Sequence, residues 1–179
     1  MRFVLSLLAS LLIPLSTTRP ALADGHEAGD GYATFIRTAI VARYSDLEPS
    51  VTFWRDVMGF QYAGDPKPRT GYASPLGWVA EAVTYFTTFS SKDGAMVGLL
   101  MVEDSPGFPE IDLPDASAAH GGVVLVHTAI NLRAVYDRAV DHGFEVLKPF
   151  GLSQTGLSEQ ILIKAPTGQL VEVYELIEK

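Results

Sequence analysis

The stretch TGQLVEVYEL, Thr167 to Leu176, sets one carboxylate, Glu172, between two valines in a segment of otherwise strand-like alternation. On a half-buried strand a carboxylate is costly unless a cation, a metal ion or a set of hydrogen-bond donors satisfies it. Glu172 is therefore the first candidate for chemistry: an anchor for a ligand, a metal ligand, or, standing unpaired, a general base. Other reactive types are sparse. There is no cysteine, which removes disulfides, thiolate metal sites and a thiol nucleophile. The four histidines, His26, His120, His127 and His142, follow no metal-binding spacing. The chain also lacks a Gly-rich phosphate loop, an HExxH helix and a Ser-His-Asp arrangement with recognisable local context. Glu175 and Glu178, which follow Glu172 at spacings of three, read as a solvated chain end.

What must position Glu172 is a pair of similar halves. A helix begins at Asp46, with Leu47, Val51, Trp54, Val57 and Met58 at helical spacing and Gly59 at its end. A second begins at Asn131, with Leu132, Val135, Tyr136, Ala139 and Val140 on one stripe and Gly143 at its end. Each helix follows a strand-like run, FIRTAIVARY or GGVVLVHTAI. Each also precedes strands that meet at a tight turn, Asp93-Gly94 in one half and Thr167-Gly168 in the other. Strand, helix and three strands thus occur twice, over about 36–103 and 122–178, within one domain of residues 34–179. The Pro-, Asp- and Gly-rich segment 104–121 joins them as a long loop. The expected fold is α+β: paired βαβββ modules forming a curved eight-stranded mixed sheet around a groove, with helices outside. The groove is the natural ligand site.

The N-terminus reads as a secretory signal. Arg2 precedes an apolar run from Phe3 to Leu15, and Ala21-Leu22-Ala23 is a small-residue cleavage pattern. The run is too short to span a bilayer. The expectation is cleavage after Ala23, a flexible leader over 24–33, and a secreted or periplasmic protein with no membrane attachment after cleavage. Loss of Arg2 and Arg19 leaves 11 basic against 21 acidic residues and moves the formal charge from -8 to -10. Nucleic acid is excluded as a partner, since no cluster of Lys and Arg is present. The acidic balance suits a cationic ligand better than an anionic one.

The segments SDLEPSVTFWRDVMGF and APTGQLVEVYEL, set in paired halves, resemble the vicinal oxygen chelate superfamily of glyoxalase I, extradiol dioxygenases, fosfomycin-modifying enzymes and bleomycin-binding proteins. The resemblance covers residues 36–178. It implies one divalent metal held by a His or Gln on the first strand and a Glu on the last strand of each half, and commonly a homodimer. Glu172 matches the last of these positions. Gly98 is its counterpart in the first half, each lying four residues after a turn glycine. Counting seven residues back from the helix caps gives Ala39 and Val124 as the first-strand positions. Ala39, Gly98 and Val124 offer no side-chain donor, so the implied metal centre is expected to be degenerate, with no cofactor. His127 stands three residues past Val124, and strand alternation turns it toward the helix layer.

On the first strand, Arg37, Val41 and Arg43 share the parity of Ala39. The resulting expectation is a pocket whose polar end is Glu172 with Arg37 or Arg43, lined by Ala39, Gly98, Leu100, Val124, Val126 and Tyr174. Tyr62, Trp78 and Tyr85 are further candidates for its wall. The leading functional reading is binding of a small organic molecule. The resemblance implies a metal-dependent lyase or dioxygenase as the alternative, and a metal-free isomerase or lyase using Glu172 as base comes third.

Overall fold

A computed structural model of the chain describes residues 37–70, 83–103 and 123–177, all within one contact unit that spans 36–179. The expected signal peptide 1–23, the leader 24–33, the loop 104–121, and with them His26, Trp78 and His120, lie outside the described residues.

The first half runs β1 (Thr38–Arg43), a 3-10 turn (Tyr44–Asp46), a helix that is α over Leu47–Val51 (α1) and π over Thr52–Val57, then β2 (Gln61–Tyr62), β3 (Thr84–Ser90) and β4 (Met96–Val102). The second runs β5 (Val124–Thr128), α2 (Leu132–Asp141), β6 (Val146–Leu152), β7 (Ser158–Lys164) and β8 (Leu170–Leu176). Both halves are the expected strand, helix and three strands. They form two four-stranded mixed sheets of matching order, β1-β4-β3-β2 and β5-β8-β7-β6. In each, the first strand lies parallel to the last, and the last lies antiparallel to its hairpin partner.

Local chemistry explains the correspondence. The hairpin turns are alike: Gly94 N donates to Ser91 O and Ser91 N to Ala95 O, as Gly168 N does to Ala165 O and Ala165 N to Gln169 O. Gly94 and Gly168 adopt φ of 86° and 87°, a region that only glycine enters cheaply. Helix exits match too, Phe60 N donating to Trp54 O and Phe144 N to Ala139 O across Gly59 and Gly143.

The helix starts differ. Asn131 Oδ1 accepts from Ala134 N at 2.9 Å, and Glu175 Oε2 accepts from Leu132 N at 2.7 Å. Two carboxyl or amide oxygens thus satisfy the orphan donors of α2. Glu175 is a cap here, not a solvated terminal residue. Val140, counted on the apolar stripe of α2, is exposed.

Alternation along β1 sets the layers. Ile40 and Ala42 are buried, whereas Ala39, Val41 and Arg43 are exposed. The same holds on β5, where Leu125 is buried and Val126 is 54% exposed. Phe53, Trp54 and Val57 of the first helix and Leu132, Val135 and Ala139 of α2 join the inner faces of both sheets in one core. The halves meet inside that core. The Phe53 and Phe144 rings are 5.1 Å apart edge to face, and Arg138 donates twice to Val57 O, at 2.9 and 2.7 Å.

Candidate functional site

Strand register decides which residues share Glu172's surroundings. Residues paired across a ladder present side chains to the same side, so Val126, Glu172 and Leu162 form one row across β5, β8 and β7. The next row is Thr128, Tyr174 and Gln160. Val124 pairs with Leu170, one row away. In the first half Ala39, Gly98 and Thr88 form the equivalent row, and Val41, Leu100 and Phe86 the next. The counterpart of Ala39 is therefore Val126, not Val124. Counting back from the helix caps misplaced it because the first half inserts a 3-10 turn between strand and helix. Ala39 stands seven residues before Asp46, but Val126 only five before Asn131.

Glu172 and Tyr174 are half-buried on the outer face of the second sheet, next to Val126. Among the described residues, Glu172 has no hydrogen-bond or ion-pair partner. The arginines expected beside it are placed elsewhere. Arg43 ends β1 opposite Val102 of the first sheet. Arg37 lays its guanidinium over the Phe86 ring, 4.7 Å from its centroid. Neither forms the ion pair with Glu172 that parity suggested.

Gly98 explains where Arg37 goes. A Cβ built on Gly98 would stand 3.0 Å from Phe86 Cε2 and 3.4 Å from Arg37 Cδ. The volume that a side chain takes at Glu172 is, in the first half, filled by a phenyl ring and an arginine stem. A Cβ there would require the ring to give by a few tenths of an ångström. Phe86 carried no signal in the sequence beyond its strand parity.

The residues do not fit a divalent ion. Of the four equivalent positions Ala39, Gly98, Val126 and Glu172, one bears a donor, whereas such ions in proteins take three or four protein ligands. Among the described residues no group of three His, Asp or Glu side chains comes close enough to hold an ion. His127 lies on the inner face of β5, wedged edge to face between Trp54 and Phe60 at 5.7 and 5.4 Å, and burial pushes its pKa down. His142 is exposed at the end of α2.

Two of the expected aromatic wall residues serve packing. Tyr85 points inward, stacks on Tyr44 at 4.1 Å and donates to Glu103 Oε1 at 2.8 Å, a bond that raises its pKa. Tyr62 stacks on Phe89 at 5.3 Å, and burial together with its bond to Asp65 pushes its pKa up to about 12.

A family model described as Glyoxalase/Bleomycin resistance protein/Dioxygenase superfamily matches residues 37–173. Among solved structures, a glyoxalase family protein from Bacillus cereus is similar at a TM-score of 0.64 and 14% identity, covering 85% of this chain and 99% of that one. A glyoxylase/bleomycin resistance protein/dioxygenase domain from a Frankia species gives 0.55 at 11% identity, covering 82% and 94%. A glyoxalase/dioxygenase from Nostoc punctiforme gives 0.55 at 12%, covering 83% and 95%. At such identities the likeness is one of fold. No curated protein sequence matches the chain.

Proposed function

The chain belongs to the Glyoxalase/Bleomycin resistance protein/Dioxygenase superfamily, and from that premise we propose that it is an exported protein that binds a small organic molecule, without a metal ion, in a groove bordered by the outer faces of its sheets. The observation that carries this reading is the composition of the equivalent rows. Ala39, Gly98 and Val126 contribute no donor, and Glu172 stands among Val126, Leu162 and Tyr174 without a partner among the described residues. An unpartnered carboxylate on a largely apolar strand face favours a ligand with an apolar body and a protonated amine or other donor. The N-terminal pattern ending at Ala23 supports export.

The test is a thermal-shift screen of small organic amines, benzylamine first, against the mature protein and its Glu172→Gln variant. A bound amine at a hundred times its dissociation constant stabilises the fold by about 2.7 kcal/mol. That stabilisation is expected to fall steeply in the variant. Amines that stabilise neither protein, or both equally, would contradict the assignment of Glu172 as anchor.

A further inference from the structure

We infer that Arg37, its guanidinium carbon 4.7 Å from the centre of the Phe86 ring, is a receptor for an oxyanion, and that the ligand bound at the outer faces carries a carboxylate or phosphate group; this rests on the reading of those faces as a ligand surface.

The arginines of the described residues differ in what holds them. Arg55 is bound to Asp56 at 2.6 Å and Arg133 to Asp137 at 2.9 Å. Arg138 spends two donors on Val57 O. Arg37 is exposed, and among the described residues it has no carboxylate partner, in a chain where acidic residues outnumber basic ones 21 to 13. Its partner is a ring. A cation–π contact spends no N–H hydrogen bond, so the guanidinium keeps its donors for a carboxylate or phosphate, which it can take in a two-pronged bond.

The ring and the arginine stem pack over the bare backbone of Gly98, the ring closer than a Cβ there would sit comfortably. An arginine so held loses less side-chain freedom on binding than a solvated one. Around it Ala39, Val41 and Leu100 supply apolar surface on the same face. An oxyanion on a small apolar body matches this set. The two halves therefore carry opposite charges at corresponding places, a carboxylate in the second and a guanidinium over Gly98 in the first.

The experiment measures binding of benzoate, phenyl phosphate, benzamide and benzylamine to the mature protein by calorimetry. The wild type is compared with Arg37→Met, Arg37→Lys, Phe86→Leu and Glu172→Gln, each first checked for an unchanged melting temperature without probe. The wild type is expected to bind benzoate or phenyl phosphate about tenfold or more tightly than neutral benzamide, and Arg37→Met to lose that margin. Arg37→Lys, which keeps charge without the fork, is expected to retain part of it, and Phe86→Leu to fall between wild type and Arg37→Met. Which anion binds better distinguishes carboxylate from phosphate. Equal binding of benzoate, phenyl phosphate and benzamide, no binding of either anion, or anion binding unchanged in Arg37→Met would overturn the inference. Glu172→Gln separates the two readings. If benzylamine binding still depends on Glu172 while both anions fail, only the role of Arg37 falls; if amine and anions all fail, the ligand surface falls with it.

Discussion

The two halves share strand order, hairpin turns and helix exits, yet differ in two ways: how the helix begins and what stands at the strand position of Glu172. The first helix enters through a 3-10 turn and widens to π at Thr52–Val57. The second is a regular α-helix capped by Asn131 and Glu175. At the shared strand position the second half keeps a carboxylate on an open face, and the first has glycine under a stacked ring and guanidinium. What stays the same is what builds the core. What differs lies on the outer face and in the first helix, whose widened segment carries the buried Phe53, Trp54 and Val57.

The largest expected effect tests whether the widened first helix is the pillar of the core. Trp54 is fully buried and touches Phe53, Phe60, Phe89 and His127. Trp54→Ala should cost about 3–5 kcal/mol in urea unfolding, well beyond the change at the half-buried Tyr136 of α2. An equal loss at both sites would mean that the halves contribute alike.

Making the halves equal at the strand position should be harmful in one direction only. Gly98→Glu forces a side chain into the 3.0 Å space under Phe86 and is expected to destabilise by about 1–3 kcal/mol. Glu172→Gly removes a half-buried group that has no partner among the described residues, and its loss should be smaller, measured in the same urea series. Should Gly98→Glu prove neutral, the stack is loose and the contrast drawn here is wrong.

The cap on α2 ranks next. Asn131→Ala should lose about 1 kcal/mol of stability, with Glu175→Gln adding to it, because both oxygens serve orphan donors of one turn. Thermal unfolding of the two single variants and the double one measures this.

The meeting of the halves should be sensitive to acid. His127 is held neutral by burial between Trp54 and Phe60, so its folded pKa lies below the ordinary 6.5. The unfolded chain then takes up the proton first, and stability is full above the ordinary imidazole range and declines as pH falls below it toward the folded value. His127→Phe should flatten that decline as pH falls below the ordinary imidazole value. At the small end, Arg133→Ala breaks an exposed pair with Asp137 and should cost no more than about 0.5 kcal/mol.

Much of this was legible in the residues. The turn glycines Gly59, Gly94, Gly143 and Gly168 mark helix ends and hairpins because positive φ is a local demand that few other residues meet. Strand alternation put Glu172 with Val126 and Tyr174, and turned His127 inward. Register was harder: counting from helix caps chose Val124, since nothing in the spacing announces a 3-10 turn between the first strand and its helix. The direction of a long side chain was harder still. Arg37 was expected near Glu172, but its course depends on a hole at Gly98 and a ring two strands away. Glu175 reached its cap across 43 residues of chain, a contact that no local pattern marks.

The central claim is that the four equivalent strand positions no longer make a metal centre. Elemental analysis of the protein purified without chelator or metal-affinity steps tests it most directly. The account predicts divalent metal far below one ion per chain, unchanged in Glu172→Gln. Close to one ion per chain, lost in that variant, would contradict it.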